Sequence, residues 1–135
     1  MGEGAAVQVR VEQISDTACQ GKARGHGVVM DRPEEKGGEN RGPMGGETLL
    51  MALGGCFMSN LLAAAKARET ALDNVVLEIS GQLGGSPARF ERVTVQIRSG
   101  LEDRPLMEKL VTIAERGCIV ANTLKQGLAV EMVLA

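Results

Sequence analysis

The chain has 135 residues, 44% of them hydrophobic, enough for one domain with a buried core and too few for two. Its 15 Lys and Arg against 17 Asp and Glu give a formal net charge of -2, so no electrostatic feature calls for nucleic acid or an anionic membrane as partner. Trp and Tyr are absent and only two Phe occur, which leaves little for stacking bases or sugars.

The opening MGEGAAVQVRVEQ has neither the basic region nor the apolar run of a signal peptide. No stretch supplies the roughly 20 apolar residues of a membrane span. Residues 49–65 come nearest and are interrupted by Gly54, Gly55, Ser59 and Asn60. The expectation is a soluble cytoplasmic protein, organised as a single domain over 1–135. Val7, Val9 and Val11 alternate with Gln8, Arg10 and Glu12, the period of a half-buried strand. Further extended segments are expected over 16–23 and 26–31. His26 and Asp31 read as polar residues at strand ends rather than as catalysts. Residues 32–46, RPEEKGGENRGPMGG, form a long surface loop of the kind that is often functional or mobile.

A first helix is expected over 47–68, with Glu47 at its positive end and Lys66 and Arg68 at the other. Leu49, Leu50, Met51, Leu53, Phe57, Met58, Leu61 and Leu62 surround this helix. A helix apolar all round must be buried all round, and a second subunit is the natural cover for its second face, so a homodimer is expected. Segments 74–83 and 89–99 read as a hairpin across GGSPARF. Asp103 as N-cap and Pro105 in the first turn start a second helix over 104–116. A short helix over 119–126 follows, and AVEMVL at 129–134 reads as a last strand. The order βββ-α-ββ-αα-β is that of an α+β protein rather than a doubly wound sheet.

Three cysteines, Cys19, Cys56 and Cys118, with His26 the single histidine and no CxxC or HxxxH pair, leave no structural zinc site in prospect. Free cysteines are among the most buried residues, and Cys19 reads as such. Cys56 is less ordinary. Gly54 and Gly55 precede it, each costing a helix interior about 1 kcal/mol relative to Ala, either for close backbone packing or for room beside the sulfur. Ser59 and Asn60, at i+3 and i+4, share its face. Cys118 follows Gly117 at a helix break, where backbone N–H groups favour a thiolate. A redox-active pair and two buried core residues are both open readings of these positions.

GPMGGETLLMALGGCFMSNLL and ERGCIVANTLKQGLAVEMVL, with GHGVVMD upstream, resemble the two cysteine regions of the OsmC/Ohr family. The resemblance implies an OsmC-like intertwined homodimer with a long central helix packed against β-sheets. It also implies a thiol-dependent organic hydroperoxide reductase in which Cys56 attacks the peroxide and Cys118 resolves the product. A lipoyl-type dithiol or another thiol would be the reductant, and no metal, flavin or haem is required. In the family an arginine, held by a helix-entry glutamate, supports the thiolate. Arg24 and Arg41 are the candidates for the first role and Glu47 for the second, although nine helical steps set Glu47 opposite Cys56. Ser59 and Asn60 would support the cysteine face. Ile119 stands where the second cysteine is commonly followed by Pro. The alternative is a non-catalytic dimeric module of the same fold that binds a small ligand or senses redox state.

Overall fold

A computed structural model describes residues 4–135, which divide into two compact units, the first ending at Leu49 and the second running from Leu50 to Ala135. The first unit is a three-stranded antiparallel sheet in the order β1 (Arg10–Gln13), β2 (Cys19–Ala23), β3 (His26–Met30). Cys19 lies opposite Met30 and Ala23 opposite His26. The β2–β3 loop is Arg24-Gly25, with φ of 51° and 88°. Two successive left-handed residues make the tight turn whose twist matches that of the strands it joins. Residues 14–18 turn back on themselves, with the Ser15 hydroxyl accepting from the Thr17 and Ala18 N–H groups at 3.2 and 2.9 Å. The strand expected through Val7, Val9 and Val11 is shorter than its alternation suggests. It starts at Arg10, and the valines are 93%, 68% and 59% exposed, because no layer covers that face.

The loop after β3 is closed around one carboxylate. Asp31, 5% exposed, accepts from the Arg32 N–H on Oδ1 at 2.7 Å and from the Glu39 and Arg41 N–H groups on Oδ2 at 3.2 and 3.3 Å. Its own N–H donates to the Pro43 carbonyl, and Asn40 N–H to Arg32. Burial works against the charge of Asp31. The surrounding donors, Arg32 and Arg41 foremost and then the Thr17 hydroxyl and Glu39, outweigh it and hold the carboxyl below the usual range. Glu39 in turn accepts from the Ser15 hydroxyl at 2.9 Å.

Helix α1 runs from Gly45 to Ala67. Glu47 Oε1 accepts from the Met44 N–H at 2.8 Å, satisfying a backbone donor that the helix start leaves free. At 23 residues α1 is long and apolar enough to cross a membrane by length and composition. Its Leu53, Phe57, Leu61, Ala64 and Ala65 are instead buried in the core of the second unit, with Leu110, Ala114 and Cys118. Within the single chain only part of this apolar surface is covered, which leaves open the face assigned to a second subunit. Leu49, Met51 and Leu62 are 41%, 53% and 45% exposed, since only one face of α1 meets the rest of its unit.

That unit continues with the antiparallel hairpin β4 (Val76–Gly84) and β5 (Arg89–Arg98), irregular at Gln82/Leu83. Leu77, Ile79, Val93, Val95 and Ile97 pack against the core, while Glu78, Ser80, Gln96 and Arg98 between them are exposed. This is the alternation of a sheet with one wet face. Helix α2 (Arg104–Gly117) opens on Asp103, whose side chain accepts from the Leu106 N–H at 3.1 Å, and α3 (Ile119–Gln126) follows after a single intervening residue, Cys118. The strand expected over 129–134 does not form. Residues 127–135 have no regular structure, and Val130, Met132 and Leu134 are 71%, 92% and 100% exposed. A strand needs a neighbour for its backbone groups, and none of the described strands pairs with this segment.

Candidate active site

Cys56 and Cys118 meet in the second unit. Cys118 is the residue between α2 and α3, with φ −81° and ψ 104°. Its extended backbone ends one helix and caps the next. The Cys118 N–H donates to the Glu115 carbonyl at 3.2 Å, and its Sγ accepts from the Ala121 N–H at 3.4 Å. Its side chain is fully buried, whereas Cys56, three turns into α1, is half-buried against the same cluster.

The environments push the two thiols apart. Burial raises Cys56, but the Val120 N–H, the Cys118 thiol and the Ile119 N–H hydrogen-bond its sulfur and bring it below the ordinary thiol range. Burial raises Cys118 too, the Ala121 N–H offsets part of that, and the neighbouring Cys56 sulfur pushes it further up. Of the two thiols Cys56 therefore ionises first, the order expected of one nucleophile beside one protonated partner.

Of the residues expected around Cys56, Asn60 donates its side-chain amide to the Ala114 carbonyl at 3.5 Å, linking α1 to the last turns of α2. It also lies against Gly117, where a Cβ would stand 3.5 Å from the Asn60 amide nitrogen. Ser59 is exposed. The two glycines differ. A Cβ on Gly54 would stand 2.5 Å from Ile79 Cδ1, while one on Gly55 would meet nothing within 4 Å. The first is a packing glycine; the second faces open space at the surface of α1. In the first unit, Arg24 occupies the β2–β3 turn, the Arg41 N–H binds Asp31, and Glu47 caps α1. Cys19 is half-buried in β2. Sequence reasoning missed Asp31 as an organiser and the Ile119 and Val120 amides as thiol donors. The helix start at Gly117–Cys118 was the signal for the amides. A groove of about 770 Å³ between the end of β5 and α2, lined by Ile97, Leu101, Met107 and Val111 among others, includes neither cysteine.

A protein with this mixed helix-and-sheet fold, one cysteine within a long central helix and a second at the head of a short one, has the outline of an OsmC-like protein. The OsmC-like family model matches residues 37–133, and the chain belongs to that family. Solved structures repeat the fold. One is a Psychrobacter arcticus protein whose name ties it to osmotic stress and detoxification, at 16% identity, TM-score 0.77 and 91% coverage of both chains. Another is an organic hydroperoxide resistance protein OsmC of Legionella pneumophila, at 17% identity, TM-score 0.65 and 92% coverage of both. A third, an organic hydroperoxide resistance protein of Elizabethkingia anophelis crystallised with thiocyanate, gives 14% identity, TM-score 0.69 and 93% and 91% coverage. No curated protein sequence matches the chain.

Proposed function

We propose that this protein reduces organic hydroperoxides to alcohols, with Cys56 as the attacking thiol and Cys118 as the resolving one. The observation that carries the reading is the meeting of the two thiols in one core cluster, Cys56 partly exposed and lowered, Cys118 buried and raised. In the first step the Cys56 thiolate attacks the terminal peroxide oxygen. The O–O bond breaks, the sulfur is oxidised to a sulfenic acid, and the departing alkoxide takes a proton from solvent to leave as the alcohol. Cys118 then loses its proton and attacks the sulfenic sulfur. A disulfide forms and the expelled hydroxide leaves as water. A dithiol of lipoyl type, or another thiol, returns two electrons by exchange. No metal, flavin or haem enters this sequence. The neighbours named as hydroperoxide resistance proteins make the substrate class the natural one to try.

The test is consumption of cumene hydroperoxide by reduced protein with dihydrolipoamide present. Turnover should vanish in Cys56→Ser. Undiminished activity in that variant would end the assignment, and an inert wild-type protein whose thiols still bind small ligands would favour a binding or redox-sensing module.

We further read the two units as one OsmC-like domain working in the cytoplasm as an intertwined homodimer. The support is the exposed apolar surface of Met51 and Leu62 on α1 and of Val130, Met132 and Val133 in the C-terminal segment, a surface of the kind a partner covers. Light scattering should report a dimer, and Leu62→Asp, which puts a charge on that apolar surface, should weaken it; a stable monomer at micromolar concentration would remove this part.

A further inference from the structure

The sulfur of Cys118 has a structural duty as well as a chemical one. The residue's extended backbone, at φ −81° and ψ 104°, ends α2 and caps α3, and its Sγ is the side-chain acceptor for the Ala121 N–H at 3.4 Å. A helix start leaves its first N–H groups without main-chain partners, and the cap residue supplies one. A thiol sulfur is a weak acceptor, so little displacement is needed to lose this cap. The same sulfur is fully buried in the core cluster that Cys56 joins from α1.

Helix α3 has few other restraints. It has eight residues, none of them buried, and isolated helices of that length are marginal in water. Val120 and Ala121 pack against the cluster that holds Cys118. The corner is otherwise tied by the Asn122 side-chain amide, which donates to the Arg116 carbonyl at 3.1 Å, and by the exposed Lys125–Glu115 pair. Gly127 ends the helix, and no regular structure follows it. Helix α1 is the firmer partner, because Cys56 lies between the buried Leu53 and Phe57 in a helix of 23 residues. When a bond forms between the two sulfurs, the one that moves is therefore that of Cys118, at a one-residue joint.

We propose that oxidation of Cys118 to a disulfide with Cys56 uncaps α3, so that the segment packed on the buried sulfur loosens in the oxidised protein and closes again on reduction. Each thiol gives up a proton and an electron, the S–S bond forms, and the electron pair reduces an organic hydroperoxide to alcohol and water. Bonded sulfurs lie far closer than two free thiols can pack, and the displaced Cys118 sulfur leaves the Ala121 N–H without its acceptor. The consequence is access. A thiol reductant must reach a disulfide sulfur, and Cys118 presents no surface while α3 is in place. The proposal takes from the peroxidase reading the pairing of the two cysteines and nothing further.

Hydrogen exchange of the α3 amides in reduced and oxidised protein is the test. In a Cys19→Ser background the disulfide is made with diamide, which takes up the two electrons and two protons to become its hydrazine, and is verified by peptide mapping, so that turnover of hydroperoxide is not required. Oxidation should speed exchange at Ala121 and through α3 by roughly fivefold, the equivalent of an ordinary N-cap lost, and leave Leu110 and Ala114 in α2 unchanged. Cys118→Ser, whose hydroxyl is a good cap and which cannot form the pair, should stay protected with or without diamide. Cys118→Ala should exchange like the oxidised parent with no oxidant present. Asn122→Ala, which removes another tie across the corner, should speed reduction of the disulfide by dihydrolipoamide several-fold. Equal protection in the two redox states, no Cys56–Cys118 disulfide with diamide, a protected α3 in Cys118→Ala, a response of Cys118→Ser to diamide, or unaltered reduction in Asn122→Ala would each overturn the proposal. A protein that turns over hydroperoxide with α3 unmoved keeps the functional reading and loses this one; inertness toward hydroperoxide with a responsive α3 does the reverse.

Discussion

Cys118 and Cys56 belong to one packed cluster, and of the two only Cys56 has surface to offer a reagent. The influence of each thiol on the other and the difference in burial act in the same direction. The exposed sulfur is the one held toward thiolate, and the buried one keeps its proton. Reactivity toward alkylating agents follows the thiolate fraction and access together.

Limiting iodoacetamide at neutral pH should therefore modify Cys56 well before Cys118, at least tenfold faster by peptide mapping. Peroxide treatment of Cys118→Ser should leave a sulfenic acid on Cys56 that dimedone captures, where the parent proceeds to a disulfide. Equal labelling of the two cysteines would contradict the asymmetry.

Asp31→Asn should loosen the loop over 32–43. An amide side chain keeps one oxygen and presents an NH2 group to donors that the second carboxylate oxygen now accepts, so the Glu39 and Arg41 amides lose their partner. Hydrogen exchange should quicken at those amides and leave the β4–β5 hairpin unchanged. The same latch depends on pH. Because the folded carboxyl is held below its ordinary value, its contribution to stability is fully present above the usual Asp range of about 4 and is lost as pH falls through the lowered folded value. Urea melts at decreasing pH should show this loss in the parent and a smaller one in Asp31→Asn.

Gly54→Ala should destabilise the protein. The added methyl meets Ile79 Cδ1 in a buried contact between α1 and β4. Overpacking of this kind costs about 1–3 kcal/mol and outweighs the roughly 1 kcal/mol gained in helix propensity. Combining it with Ile79→Val, which withdraws that methyl, should recover part of the loss in denaturant midpoint. A stabilised single variant would show that Gly54 has no packing role.

Asn60→Ala should have a modest effect on stability and a larger one on resolution. Its bond to the Ala114 carbonyl is long, so its loss costs about 0.5–1.5 kcal/mol. The same bond links the helix of Cys56 to the approach to Cys118. Disulfide formation after a single peroxide addition should slow several-fold while alkylation of Cys56 holds its rate. An unaltered rate of disulfide formation would show that the two helices are aligned by the hydrophobic core alone.

Local signals in the chain were read well where the cause is local. Asp103 and Pro105 mark the start of α2 within the residues that form it, and Gly117 and Gly127 bracket the short α3 as expected. Glu47 illustrates a partial reading. Its place near the helix start was evident, while its bond to the Met44 N–H shows that it closes its own helix. What escaped depends on distant backbone. The donors to Asp31 come from peptide groups one, eight and ten residues later, and amides carry no side-chain signature. Patterns that require a neighbour were over-read. Val7 and Val9, like 129–134, alternate or cluster as strands do, but a strand exists only beside another; Val11 pairs with Gly21 in β1, whereas Val7, Val9 and the C-terminal segment have no paired neighbour.

The corner at Gly117–Cys118 also sets how much change in chain length the protein can absorb. One residue separates α2 from α3, and it both caps the second helix and carries a thiol. One extra residue inserted there would turn everything that follows by about 100° about the helix axis, carrying Val120 and Ala121 out of the cluster they share with Cys56 with no loop to absorb the error. The same insertion after Gly127 would lengthen a segment that has no regular structure to disrupt. Variation in length among functional versions of this chain should therefore gather beyond α3 and avoid the junction before it.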